Sequence, residues 1–414
     1  MNPAQASRTA RHGAAFDQPT QAAFRSHFRA LPAHGASAPA TCIALGNTAA
    51  LADGLALGLA LDARTYVAVS RRYDGGIEIA GQSPSEPPAR IELGRYAPDA
   101  ATAWANGARA LLARLQRRGV HFTGFQALIR TTIPKGTGLG ENTATICALA
   151  LAVRQLFPFR LAANGLGEPP ARDRRGFLPP PTPQERSALA MVCGLAAEEA
   201  FGEFTGPAHA LTALHGQAHG AVVADLLHHT AEPVPWVGDV AVVAVRLARP
   251  RLEGADLVLE QKQRTLAARA ALGTRSLRRL TPEDMPPLRE QLPPEVWRWT
   301  RHLTEENQRV VHAERALRDQ DLSSFGGYLQ QHLRSFDGTG LAGSHGGTEL
   351  IRIAAKAPGW MGGWLPADPS LPASVNLVTN ARMDEFCRFM FETVAERTSM
   401  LVECFPCGTG SGAA

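Results

Sequence analysis

The stretch "PKGTGLGEN" at residues 134–142 has the spacing best suited to chemistry, with glycines at 136, 138 and 140 followed by Glu141 and Asn142. It lies between a β-branched run and a long apolar run. A strand-to-helix turn of this kind lets backbone N–H groups approach phosphate oxygens, and the helix N-terminus adds partial positive charge. It lacks the Lys-Ser/Thr ending of the Walker loop and does not match the dinucleotide fingerprint. On its own such a turn serves packing as often as phosphate. The other candidates stand apart from one another. His209 could act as a base near neutral pH, although a lone histidine is more often structural. Asp53 precedes Gly54 and reads equally as the polar residue of a turn, and His215 as a helix-face or cap residue. Cys404 and Cys407 have CxxC spacing without a second pair, so no metal site is expected.

Periodicity places these residues on elements. "TYVAVSRRYDGGIEIAG" (65–81) alternates on both sides of Asp74–Gly75 and predicts a β-hairpin. Residues 101–119 have helical periodicity and stop at Gly119, and 125–157 read as strand, glycine loop and apolar helix. The Pro/Gly-rich stretch 164–183 is a surface excursion ending in Thr182-Pro183-Gln184-Glu185, a capping box with proline in the first turn. Residues 221–227, 239–248 and 373–379 read as strands, and 257–272, 304–322 and 382–398 as helices. Strands and helices occur in both halves without strict alternation, which predicts an α+β fold.

A length of 414 residues exceeds what one core usually supports and predicts two domains. The expected division is a flexible N-terminal arm over 1–22, a first domain over 23–205 and a second over 206–414. A net charge of +4 is too weak to argue for nucleic acid, and "ARDRRG" (171–176) reads as a solvated loop. No run approaches the ~18–20 apolar residues of a membrane helix. The first residues lack an apolar signal core, so neither membrane nor secretion is expected, and the expected location is cytoplasmic.

Beyond these readings, Pro-x-Gly-x-Gly-Leu before a small-residue helix resembles the second motif of the GHMP kinases, and the chain as a whole resembles the galactokinases among them. "RHLTEENQRVVHAERALRDQDLSSFGGYLQQH" (301–332) is similar to that family's C-terminal helical region, "ELIRIAAKAPGWMGG" (349–363) to the helix before its third motif, and "LALGLALDARTYVAVSRR" to the strand after its first. The resemblance implies a two-domain GHMP-kinase-like fold with a cleft between the domains. It implies ATP-dependent phosphoryl transfer to a sugar, with Gly136, Gly138, Gly140, Glu141 and Asn142 as cofactor-binding positions. Asn47, Thr48 and Asp53 are the substrate-binding positions.

The departures are as specific as the resemblance. The family's first motif holds a catalytic arginine and a Glu-His-Thr-Asp-Tyr run that grips the sugar. Ungapped registration puts Thr41 at the arginine, and Asn47, Thr48, Ala50 and Leu51 at the glutamate, histidine, aspartate and tyrosine. Gly140, Glu141 and Asn142 stand where serines help hold Mg–ATP. "GPAHA" (206–210) puts His209 at the catalytic aspartate, and "PADPSLPAS" (366–374) replaces the third glycine loop. Thr41 supplies no cation, Glu141 brings negative charge towards a triphosphate, and Pro366, Pro369 and Pro372 offer no N–H. The expectation is a pseudokinase with a binding or regulatory role, no firm cofactor and an unidentified small-molecule or protein partner. Two alternatives stay open. One is an active sugar or small-molecule kinase using ATP and Mg²⁺ through His209, Glu141 or Glu203. The other is a non-kinase enzyme drawing on Asp53, His209 and His215.

Overall fold

Leu55–Arg71 is rich in Val, Ala and Leu and forms a 17-residue strand around which the first sheet is built. The structure, a computed structural model, describes residues 17–83, 86–236, 238–248, 255–341, 343–368, 370–398 and 400–414. The strands in chain order are β1 His34–Leu45, β2 Leu55–Arg71, β3 Gly76–Gly81, β4 Ala89–Glu92, β5 Phe125–Thr131, β6 Arg160–Ala162, β7 Gly165–Gly167, β8 Gly220–Asp225, β9 Thr230–Pro235, β10 Val240–Leu247, β11 Trp360–Trp364, β12 Ala373–Thr379 and β13 Val402–Cys407. β2 pairs with β1 along one edge. Its other edge is shared, with β8 against its first residues and β5 against its last. The order β4-β3-β5-β2-β8-β9, with β1 on β2, completes this sheet, and β11-β12-β10-β13 forms a second one. The result is a two-domain α+β fold.

Three expectations change. The hairpin over 65–81 is absent, because β5 lies between β2 and β3, antiparallel to one and parallel to the other. The turn at Asp74 and Gly75 survives, and the Asp74 carboxylate accepts from Gly76 N at 3.2 Å. The flexible arm over 1–22 falls outside the described residues up to residue 16. From Asp17 it is corrected: the Asp17 side chain caps the helix Gln18–Phe28, Thr20 and Phe24 are buried, and Arg130 pairs with Asp17 at 2.8 Å. Finally, β8 and β9, beyond the expected boundary at 205/206, belong to the first sheet. The second sheet begins at Val240.

Local signals explain several ends. Thr182 accepts from Glu185 N at 3.3 Å, so half of the capping box forms. The Glu185 side chain instead makes a bidentate ion pair with Arg154, at 2.8 and 3.2 Å, in a fully buried position. Cys404 and Cys407 lie on β13, where an odd spacing sends side chains to opposite faces of the sheet, so they cannot share a ligand. All six cysteines are free. The large helices Pro294–Arg318 and Leu322–Asp337 pack together, the first against the first sheet and behind the loop that joins β1 to β2, the second mainly on β11 of the second sheet.

Candidate active-site cleft

β1 carries two register shifts against β2, one between Pro39 and Thr41 and another between Ile43 and Leu45. Bulges of this kind re-aim side chains beside sites. Thr41 N donates to Leu139 O at 3.0 Å, tying the strand to the glycine loop, and Thr41 Oγ1 lies 2.8 Å from His209 Nδ1 in a buried hydrogen bond. His209 projects from the first turns of the helix Gly206–His215. Burial pushes its imidazole down to about 4, so it is neutral near pH 7.

Each glycine of the 134–142 loop meets a different part of the chain. Gly138 and Gly140 have φ of +73° and +64°, a region that L side chains rarely adopt. A Cβ on Gly140 would lie 2.5 Å from Thr41 Oγ1 and 2.8 Å from His209 Nδ1; one on Gly138 would lie 2.4 Å from Pro366 Cβ. Gly136 faces Arg246, whose guanidinium also donates to Lys135 O. The glycines therefore serve close packing of the chain against itself. Pro366, from the third altered loop, covers Gly138; Pro369 lies outside the described residues.

Glu141 opens the helix Glu141–Leu156. Asn142 Nδ2 donates to Glu203 Oε1 at 2.7 Å, and Thr143 Oγ1 to Glu203 Oε2 at 3.1 Å. Burial raises both carboxyls above the ordinary range; nearby Glu203 adds to the rise at Glu141, which Lys135 opposes. A cavity of about 170 Å³ remains, lined among others by Gly138, Gly140, Glu203, His209 and Asp368. A second, of about 160 Å³, lies on the other side of Glu141, walled by Trp104, Ile146 and Phe201 with Lys135 at its edge. The Trp104 Nε1 is buried without a hydrogen-bond partner.

The β1–β2 loop is committed to the protein itself. Asn47 Nδ2 donates to Leu365 O at 3.2 Å, its Oδ1 accepts from Thr48 N at 2.7 Å, and Thr48 Oγ1 lies 3.1 Å from His302 Nε2. Both side chains are buried, so neither is free to grip a substrate. Asp53 has φ +57° and pairs with Arg269 at 3.1 Å, away from both cavities. His215 lies at the far end of its helix against Ser187, at 3.2 Å, with burial and then Arg186 pushing it down to about 4. The structure thus brings together Thr41, His209, Gly138, Gly140, Glu141 and Asn142. Asp53 and His215 stand outside, which removes the grouping proposed for a non-kinase enzyme. Trp104 gave no sign in the sequence, since an isolated tryptophan on a helical pattern reads as core.

No family model matches the chain. A galactokinase of Chloroflexus aggregans is 26% identical over 396 residues, spanning 94% of this chain and 95% of that protein. The human galactokinase is 25% identical over 82% of each chain. The crystal structure of Lactococcus lactis galactokinase complexed with galactose superposes with a TM-score of 0.82 at 18% identity, covering 95% of this chain and 98% of that one. The chain is galactokinase-like: it resembles the galactokinases over nearly its whole length and has the GHMP-kinase fold. A mevalonate kinase of Methanococcus jannaschii shares the fold more distantly, with a TM-score of 0.56 at 12% identity over 91% of this chain and 98% of that one. In this galactokinase-like chain, the positions that the resemblance assigns to the catalytic arginine and aspartate, Thr41 and His209, hydrogen-bond to each other.

Proposed function

We propose that this chain is a catalytically impaired galactokinase-like protein that acts by binding or regulation. The observation that carries this reading is the buried Thr41–His209 hydrogen bond seated against Gly140. Phosphoryl transfer to a sugar hydroxyl requires a carboxylate or other base to orient or deprotonate it, and cationic groups to hold charge on the phosphoryl oxygens. The pair offers no cation, and His209 is a weak base whose Nδ1 is already engaged with Thr41 Oγ1. The residues present do not fit Mg–ATP. Pro366 covers the middle glycine, Glu141 stands where a serine is expected to help hold metal and phosphate, and Glu203 adds a second carboxyl to the same cavity. The ligand is a small molecule or protein of unassigned identity, and the weak net charge argues against nucleic acid. Among the described residues no helix is long and apolar enough to cross a membrane. A cytoplasmic location belongs to the same proposal.

The test is galactose phosphorylation by the purified chain with Mg–ATP. No turnover is expected; a rate near the ~1–100 s⁻¹ of kinases would overturn the reading. A second reading, an active kinase with a rebuilt site, draws support from the cavity beside Trp104, where Ile146 and Phe201 give it an apolar wall and Lys135, Glu141 and Asn142 a polar one next to the glycine loop. Micromolar affinity for Mg–ATP would favour it, and loss of activity in His209→Ala would then identify the base.

A further inference from the structure

Behind the β1–β2 loop, the helix Pro294–Arg318 sets His302 and Glu306 one turn apart on the same face. The helix Leu322–Asp337 brings His332 against them. One ligand-capable atom from each residue lies within 4.8 Å of the other two. The three residues are 1%, 0% and 0% exposed. The deciding feature is His332: its Nε2 is buried without a hydrogen-bond partner, and its Nδ1 meets only Glu306 Oε1, at 2.7 Å. An imidazole nitrogen left without a partner in the interior is destabilising. Coordination of an ion by one nitrogen removes part of that cost.

We propose that His302, Glu306 and His332 bind a divalent transition-metal ion of the zinc class. Two imidazoles and one carboxylate suit such an ion, whereas Mg²⁺ and Ca²⁺ select oxygen donors. The surroundings support the geometry. Arg309 Nε donates to Glu306 Oε2 at 2.7 Å and leaves Oε1 facing His332. Glu305 pairs with Arg301 at 2.6 Å and with Arg309 at 3.3 Å, so Arg309 is shared between two carboxylates and the ion meets one partly compensated carboxylate and two rings. His302 is held from both sides, by Ser335 Oγ at 3.0 Å and Thr48 Oγ1 at 3.1 Å. One of these bonds gives way on coordination and the other fixes the ring, as is usual for a ligating histidine. Small side-chain rotations bring the ligand atoms to the ~2.0–2.2 Å of zinc–nitrogen and zinc–oxygen bonds. Glu306 Oε1 also accepts from Gly46 N at 2.7 Å, so the ion fastens the loop that carries Asn47 and Thr48. The site is separate from the Thr41–His209 cleft and independent of whether any kinase activity remains.

The experiment uses the full chain, stripped with a chelator, dialysed and confirmed folded by circular dichroism. Zn²⁺ is then titrated against a chromophoric competitor, and Co²⁺ is added in parallel to read its visible absorption bands. The expected result is about one equivalent of Zn²⁺ per chain at sub-micromolar affinity, and Co²⁺ bands of a nitrogen/oxygen site. His332→Gln lowers the affinity roughly 100-fold, while His312→Ala, an exposed histidine on the same helix as His302, leaves it unchanged. Should His332→Gln not fold, the stripped native chain still decides through its own uptake and through a rise in melting temperature when Zn²⁺ is restored. Failure of the folded native chain to take up Zn²⁺ or Co²⁺ overturns the proposal, as does uptake that His332→Gln leaves unaltered.

Discussion

The cleft around Gly140 and the cluster behind the β1–β2 loop are both buried and polar, yet they are built in opposite ways. In the cleft, the positions where phosphoryl transfer needs charge hold Thr41 and a neutral His209, joined by one hydrogen bond. Behind the loop, Glu306 is ionised: burial opposes its charge, but His332 and Arg309 hold it well below the ordinary carboxylate range. Gly46 N and Arg309 both donate to it, and neighbouring Asn307 accepts from Leu55 N at 2.9 Å. On the proposed reading, the chain keeps a buried charge network where it holds the shape of the cleft, while the positions that phosphoryl transfer would use hold an uncharged pair.

The largest test of this contrast is Glu306→Leu. It strands the Gly46 N–H and weakens the pairing of Arg309 in the interior, and breaking a buried charge network typically costs about 3–5 kcal/mol. Urea unfolding measures it; a loss below about 1 kcal/mol would show that the cluster does not support the loop.

A smaller effect follows from His209. Its folded value near 4 lies below the unfolded value of 6.5. As pH falls from 6.5 towards 4, the unfolded chain takes up a proton that the folded chain refuses, so stability declines through that window. His209→Gln removes this contribution. The stability difference between parent and variant should shift in the variant's favour by about 1–3 kcal/mol on going from pH 7 to pH 4. The raised carboxyls Glu141 and Glu203 act in the opposite sense but are common to both proteins, so they cancel in the difference. Parallel pH profiles would mean that His209 is not held neutral by the cleft.

The smallest expected effect concerns the glycine loop. Calorimetric titration of the parent with Mg–ATP should show weak or no binding. Glu141→Ser removes a carboxylate from the start of the helix Glu141–Leu156 and should improve affinity by roughly 2–5-fold. Micromolar binding by the parent with no gain in the variant would contradict the electrostatic part of the contrast.

Local sequence was enough for what depends on neighbours along the chain. The glycine spacing at 136, 138 and 140, the Thr182 cap and the apolar run after Glu141 fixed a turn and two helix starts, because steric and capping preferences act within a few residues. Tertiary structure decided what depends on distant partners. β5 separates β2 from β3, so a sound turn signal at Asp74–Gly75 did not make a hairpin. The last residue of the expected capping box, Glu185, was drawn to Arg154 instead, since a buried guanidinium must be paired. The glycines read as a phosphate cradle are filled by Thr41, His209 and Pro366, and no spacing in the sequence specifies that contact. His302 and Glu306 stand four residues apart on one helix and drew no notice in the sequence, and His332 reaches them only because two helices pack antiparallel across a turn. Side-chain type and periodicity are one-dimensional properties. Which buried polar atom finds a partner depends on the packing of the whole chain, and that is where this protein's cleft and its charged cluster came to differ.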